Sequence, residues 1–414
     1  MNTKRRVVIT GVGTINPLAH DLETTWQKVI KGESGIGPIT QFDASEHKTQ
    51  FAGEVKDFDP DALFGRKEAR RMSRMTQFAL TAADQAIKDA QLPINEENRD
   101  MIGVILGSGM GSMEPIMEST QILQERGPSR ISPFFVPMML PDTPAAAISI
   151  AHGMRGPNMS VATACATGNN VIGEATKLIQ RGIVDAVVAG GSEACINPLA
   201  IAGFAVMGAM SMRNEDPQGA LRPFDLNRDG FVTSEGSAVL ILEALEHALA
   251  RGAKIYGEVL GYGTSADAYH LAMPAENGEG AVKSMAAALK DAGFDGSEIN
   301  YINAHGTATQ LNDKGETAAI KTVFGERAYD VPVSSTKSIH GHLLGAAGTL
   351  EALVCLKAIA TNTLPPTINY ETPDPDCDLD CVPNQPRSAV VNVAMSNGFG
   401  LGGHNATIIL GRYS

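Results

Sequence analysis

The chain has 414 residues, 43% of them hydrophobic and 5% aromatic, and a formal charge of −13 at neutral pH. That length can bury one large core or two domain-sized ones, the acidic balance argues against nucleic acid as a bulk partner, and the apolar runs stop short of the roughly 20 residues a membrane span needs. The five cysteines show no disulfide framework, Cys377 and Cys381 have no histidine partners for zinc, and the basic N-terminus passes straight into a strand with no long h-region, so a reducing cytoplasm is expected.

In chain order, strands are predicted at 6–10, 102–106, 159–162, 186–189, 238–243, 255–261, 299–303, 331–334, 390–394 and 406–410. Helices are predicted between them at 68–91, 144–153, 168–181, 281–292, 313–324 and 343–360. The alternation predicts an α/β fold with covered sheets. Abundant glycine (43) and methionine (17) suit close helix–strand packing and a pliable apolar pocket.

The segment Ser160-Val161-Ala162-Thr163-Ala164-Cys165-Ala166-Thr167-Gly168-Asn169-Asn170 turns from strand to helix through small residues. A thiol there meets unpaired backbone N–H groups and the positive end of the helix dipole, which favour the thiolate. The small Ala164, Ala166 and Gly168 would let a substrate carbonyl approach the backbone. Two histidines sit at similar strand ends, His305 in Asn303-Ala304-His305-Gly306-Thr307 and His342 in Gly341-His342-Leu343-Leu344-Gly345-Ala346-Ala347-Gly348. One cysteine and two histidines so placed form a nucleophile signature. Strand, Cys165, turn and helix in the first half echo strand, His342, turn and helix in the second. A duplicated unit would aim two helix N-termini at one central site.

Two other motifs are declined. Asp225-Leu226-Asn227-Arg228-Asp229-Gly230 opens like a calcium loop but has Gly236 where the bidentate glutamate belongs. Gly107-x-Gly109-x-Gly111 misplaces the third glycine of a dinucleotide fingerprint.

From Val7-Val8-Ile9-Thr10-Gly11-Val12-Gly13 to Asn397-Gly398-Phe399-Gly400-Leu401-Gly402-Gly403-His404-Asn405, with the Thr-Ala-Cys-Ala-Thr-Gly and Asn-Ala-His-Gly-Thr segments in order, the chain resembles the thiolase-superfamily condensing enzymes. Within them it resembles the elongating type II β-ketoacyl-[acyl-carrier-protein] synthases. The resemblance implies a five-layered αβαβα thiolase-like fold of two pseudo-repeated halves. Residues 1–253 would carry the nucleophile and residues 254–414 both histidines, and two chains would form a homodimer.

It also implies a decarboxylative Claisen condensation. Cys165 would hold the acyl chain as a thioester, and His305 and His342 would bind the malonyl thioester carbonyl. The backbone amides of Cys165 and Leu401 would form the oxyanion hole. Lys337 and Glu351 would belong to a charge network fixing the histidines, with Phe399 in support. Thr307 and Thr309 would contact the phosphopantetheine arm of acyl carrier protein, and Lys67, Arg70 and Arg71 would dock the carrier, with Arg74 one turn away on the same helix. No dissociable cofactor is implied; Asn303, Ala304, Glu351, Ser396 and Asn397 match a group that holds a structural monovalent cation in some relatives.

Departures from the pattern bear on chain length. Leu401 stands where a gating phenylalanine is usual, Met110 lines the expected acyl pocket, Gly208 replaces an arginine near the tunnel mouth, and His340 lies two residues before His342. A degradative thiolase would need a second cysteine near Phe399 and Leu401, a starter-type synthase an asparagine at the second histidine, and a chain-length factor no nucleophile. A type I-like elongating synthase and a ketosynthase of a polyketide or specialised lipid pathway are the remaining alternatives.

Overall fold

Four strands of the first half are buried at every residue, the pattern of strands covered on both faces. In the computed structural model, which describes residues 4–414, they belong to a sheet made of β1 (Val7–Ile15), β2 (Ile102–Gly107), β3 (Asn158–Val161), β4 (Ala186–Glu193) and β5 (Gly236–Ala244). A second sheet holds β6 (Gly257–Ala266), β7 (Tyr301–Asn303), β8 (Val333–Ser334), β9 (Val393–Gly400) and β10 (His404–Gly411). The order is β3-β2-β4-β5-β1 in the first and β8-β7-β9-β10-β6 in the second, so each strand has a counterpart at the same place. The directions repeat as well: β2 runs parallel to β3 and β4, and β7 parallel to β8 and β9, while the other neighbours are antiparallel. Val8 opposite Glu258 and Ile9 opposite Gly257 join the two edges.

Six helices complete the layers: α1 (Arg74–Ala90), α2 (Thr143–His152), α3 (Thr167–Gln180), α4 (Glu279–Ala292), α5 (Gln310–Phe324) and α6 (Ala347–Thr361). α1 and α2 cover the outer face of the first sheet, α4 covers that of the second with α5 packed beside it in the same core cluster, and α3 and α6 cross between the sheets. This is the five-layered thiolase-like arrangement with its internal repeat. The central crossing demands glycine, because a Cβ on Gly168 would lie 2.6 Å from the Thr349 nitrogen and 2.9 Å from the Gly348 Cα. The absence of a side chain at Gly168 therefore serves helix packing, not substrate approach.

The stretch Leu344–Thr361 is apolar and long enough to cross a membrane, but 83% of it is buried inside the protein. Both sheets pack on α6, which explains an apolar helix here without a bilayer.

All ten expected strands occur, several running further toward the site than the apolar pattern indicated. The expected helix over 68–91 is broken. A short helix ends at Ala69, the chain turns, and Ser73 restarts the helix by accepting the Thr76 N–H on its side chain. Gln77 holds the turn by donating to the Ala69 carbonyl at 2.9 Å. Arg74 therefore does not share a helical face with Arg70 and Arg71. It points inward, 2.7 Å from the unexposed Glu235 carboxylate and over the Phe78 ring. Helices at Leu22–Lys31, Met113–Arg126 and Pro198–Val206 were not anticipated.

Candidate active site

Strand β3 ends three residues before Ala164, which adopts φ 49°, a left-handed conformation costing about 1 kcal/mol or more for a residue with a Cβ. Thr167 and Asn170, both in α3, hold this turn: the Thr163 N–H donates to the Thr167 hydroxyl at 2.8 Å, and the Asn170 amide donates to the Thr163 hydroxyl at 2.6 Å. Cys165 is thereby set at the start of α3 with its backbone N–H and that of Leu401 facing its own sulfur. Gly400 permits this approach, since a Cβ there would stand 3.0 Å from the Cys165 nitrogen. The expectation of a thiolate is not met. Burial pushes the Cys165 thiol up to about 12, against opposing pulls from Lys337 and the two N–H groups. The resting nucleophile is a neutral thiol that must hand its proton to a neighbour.

That neighbour is imidazole. The Cys165 sulfur and one ring nitrogen from each of His305 and His342 lie within 4.8 Å of one another. The two imidazoles stand edge to face with centroids 5.5 Å apart, and Phe399 packs against His305 at 5.6 Å. Burial, with Lys337 nearby, holds both histidines well below the ordinary imidazole range, so both are neutral. The Leu344 N–H donates to Nδ1 of His342 at 3.3 Å. A neutral ring accepting at Nδ1 carries its proton on Nε2, and that buried nitrogen has no partner within the protein. His342 therefore offers a hydrogen-bond donor, not a metal-ligating lone pair, although three potential ligands converge. His340 is different. Its Nδ1 donates to the Gly341 carbonyl at 2.7 Å and its Nε2 accepts from Thr336 at 3.1 Å, which satisfies the ring structurally; burial and the nearby Lys337 push it down to about 3, against the Gly341 hydrogen bond.

The charges lie beneath the site. Lys337 and Glu351 form an ion pair with neither side chain more than 1% exposed. The pair bonds to neither imidazole. His305 is held instead by Glu316, which accepts the backbone N–H groups of His305 and Gly306, each at 2.8 Å, and the Asn397 amide at 3.1 Å. A second unanticipated carboxylate, Glu193 at the end of β4, accepts from the Ser108 hydroxyl at 2.7 Å and from the N–H groups of Gly109 and Gly345 at 2.8 and 2.9 Å. The one signal for Glu193 in the sequence is an acid closing the apolar run from Ala186.

These groups surround a cavity of about 600 Å³ lined by Met110, Cys165, His305, Thr307, Thr309, His342, Phe399 and Leu401, with Gly208 and Met207 near them. The Thr307 and Thr309 hydroxyls are 3.2 Å apart. Asn303, Ser396 and Asn397 lie deeper, fully buried on β7 and β9, where Asn303 opposes Ser396. Lys67 and Arg70 are exposed outside the cavity, and Arg71 pairs with Glu68 and lies over the Phe134 ring. In the declined calcium-like loop, Asp225 spends its carboxylate on the backbone N–H groups of Asn227, Glu371 and Thr372.

Residues 4–248 match the profile of the β-ketoacyl synthase N-terminal domain and residues 256–371 that of the β-ketoacyl synthase C-terminal domain. A 3-oxoacyl-[acyl-carrier-protein] synthase 2 from Synechocystis sp. is 53% identical over 410 residues, 99% of each chain. Among solved structures, an ishigamide ketosynthase/chain length factor superposes with a TM-score of 0.93 at 37% identity, covering 100% of both chains. A type II polyketide ketosynthase, solved with its acyl-carrier protein and bound to the hexaketide, gives a TM-score of 0.92 at 34% identity, covering 99% of this chain and 100% of its own.

Proposed function

Because this chain belongs to the β-ketoacyl synthase family, we infer that it is a 3-oxoacyl-[acyl-carrier-protein] synthase, an acyltransferase that elongates fatty acyl chains by two carbons through decarboxylative condensation with a malonyl unit. The observation that carries the reading is the convergence of the Cys165 thiol and two neutral imidazoles on one cavity. The higher identity to a 3-oxoacyl-[acyl-carrier-protein] synthase 2 than to the ishigamide ketosynthase/chain length factor or the type II polyketide ketosynthase favours fatty-acid elongation over a specialised pathway.

In the acylation half, the Cys165 sulfur attacks the carrier thioester, a neighbouring imidazole takes the thiol proton, and the backbone N–H groups of Cys165 and Leu401 receive the oxyanion. The carrier thiol leaves protonated. In the condensation half, the malonyl thioester carbonyl accepts hydrogen bonds from His342 Nε2 and from His305, so that the electrons released with carbon dioxide rest on an enolate oxygen already solvated. The enolate carbon attacks the acyl carbon on Cys165, and the sulfur departs as a thiolate that regains its proton from solvent, the one proton each cycle consumes. Lys337 acts by its field, Glu351 balances it, and Phe399 packs the His305 ring. Thr307 and Thr309 receive the phosphopantetheine arm, while Met110 and Leu401 bound the acyl pocket.

Around this chemistry the reading places residues 1–253 and 254–414 as two halves of one rigid unit working in the cytoplasm. Carrier protein docks on Lys67, Arg70 and Arg71, an acidic domain meeting a local positive patch. A homodimer forms along β3, whose outer edge is unpaired and which carries the exposed Met159. A structural monovalent cation fits beside β7 and β9: the side-chain oxygens of Asn303 and Ser396 are buried without partners. Asn303 and Ser396 would hold it next to Ala304 and Glu351, and its charge would offset the carboxylate. The Asn397 side chain is committed to Glu316 and Thr407.

The test is intact-mass analysis after incubation with acyl-carrier proteins of graded chain length, then malonyl-carrier protein. The expected result is an adduct on Cys165 discharged as a β-ketoacyl product two carbons longer. If no carrier-borne acyl group forms an adduct, the reading fails.

A further inference from the structure

Glu193 is fully buried, and no lysine or arginine pairs with it among the described residues. Its carboxylate instead gathers N–H and O–H donors from both halves of the chain. One oxygen accepts from Ser108 at 2.7 Å and from the Met110 N–H at 3.3 Å; the other accepts from the Gly109 and Gly345 N–H groups at 2.8 and 2.9 Å. The Ser108–Met110 loop follows β2 and forms the cavity wall, whereas Gly345 lies in the turn that leads from His342 into α6.

That turn is strained. Leu344 has φ 47°, a left-handed conformation that a branched side chain adopts only when its surroundings hold it there. The next N–H, that of Gly345, is anchored by Glu193, and the Leu344 N–H is thereby directed at Nδ1 of His342. Once that hydrogen bond is lost, either ring nitrogen can carry the proton, and Nε2 presents a lone pair to the cavity in part of the population.

We infer that Glu193 is a positioning residue that sets the tautomer of His342: by pinning the Leu344–Gly345 turn it keeps Nδ1 occupied as an acceptor and Nε2 as the donor facing the reacting carbonyl. The inference rests on the reading that His342 donates to the malonyl thioester. Glu193 itself is fully buried and does not line the cavity. The same carboxylate ties the turn to the Met110 wall, so the histidine and the acyl pocket are set by a single group.

The experiment uses the full-length enzyme labelled with ¹⁵N-histidine, as wild type, Glu193→Gln, Glu193→Asp and His342→Ala. Imidazole ¹⁵N shifts are read together with decarboxylation of malonyl-carrier protein. In the wild type, His342 is expected to be protonated on Nε2 alone. In Glu193→Gln the amide brings N–H groups toward N–H donors; the ring is expected to become a tautomer mixture, and the decarboxylation kcat to fall by about tenfold or more with KM little changed. Glu193→Asp keeps the charge but cannot reach both loops, and is expected to fall between the two. A wild-type His342 protonated on Nδ1 overturns the inference even if Glu193→Gln does not fold, as does a folded Glu193→Gln with wild-type shifts and rate. If His342→Ala decarboxylates as fast as the wild type, it is the donor reading of His342 that fails.

Discussion

The Lys337 ammonium and the Glu351 carboxylate pair beneath the cavity with neither side chain more than 1% exposed, and the ammonium is the charge felt by Cys165, His305, His340 and His342 alike. One buried cation thus adds to the burial that keeps three imidazoles neutral, while opposing the rise of the thiol. Burial nonetheless pushes Glu351 up to about 7.

Removing the cation should strand that carboxylate. Lys337→Met is expected to destabilise the protein by about 3–5 kcal/mol when Glu351 is ionised. The sign follows from the raised carboxyl: protonation relieves the burden, so the loss should be smaller at about pH 6 than at about pH 8. Urea unfolding at both values checks this, and Lys337→Met combined with Glu351→Leu should recover much of the loss.

Cys165→Ala should form no acyl adduct with any acyl-carrier protein by intact mass, yet still release carbon dioxide from malonyl-carrier protein. Acyl transfer needs the sulfur, whereas the enolate is stabilised by the histidines. Loss of both activities would show that the thiol also serves the carboxylate-losing step.

The two neighbouring histidines should separate cleanly. His342→Ala removes the buried donor and is expected to lower decarboxylation by about 100-fold or more. His340→Thr removes a ring already satisfied by Gly341 and Thr336, and should leave decarboxylation within about threefold of wild type. Steady-state assays of the two variants decide between them.

Away from the site, Glu243 accepts from Arg251, His247 and Thr10, which together draw its carboxyl down to about 2 despite burial. A depressed carboxyl contributes stability above its unfolded value of 4.5 and loses it as pH falls toward 2. The shift corresponds to about 3 kcal/mol. Glu243→Gln should therefore be less stable at neutral pH by a comparable amount, with a flatter acid limb in denaturant titrations.

Carrier docking should follow the broken helix. Reversing Lys67 and Arg70 to glutamate should raise KM for acyl-carrier protein severalfold and weaken its salt dependence. Arg74→Glu should instead destabilise the fold, because Arg74 is the counter-ion of the unexposed Glu235. Thermal melts beside steady-state kinetics distinguish the two effects.

Ten short apolar segments and six longer ones were enough to place the main strands and helices, because the length and period of an apolar pattern are local properties and each element advertises its own. Cys165, His305 and His342 were legible for a related reason: each stands at a strand end beside small residues, a local context that burial alone does not require. The break at Arg70–Ser73 was not legible. Its cause is a serine that can cap a helix or sit within one, and the choice is made by Gln77 and the loop holding Ser112.

What the sequence by itself determined was the nucleophile, its two histidine partners and the α/β repeat that carries them, all properties of short windows. Tertiary structure decided their chemical states. Whether Cys165 is thiol or thiolate, which nitrogen of His342 holds the proton and which carboxylates steady the site depend on solvent exclusion and on partners far along the chain. Glu193 meets Gly345 across 152 positions, and Glu316 reaches Asn397 across 81. Desolvation and such long-range hydrogen bonds arise only when the two sheets close on the central helices, so no window of sequence contains them.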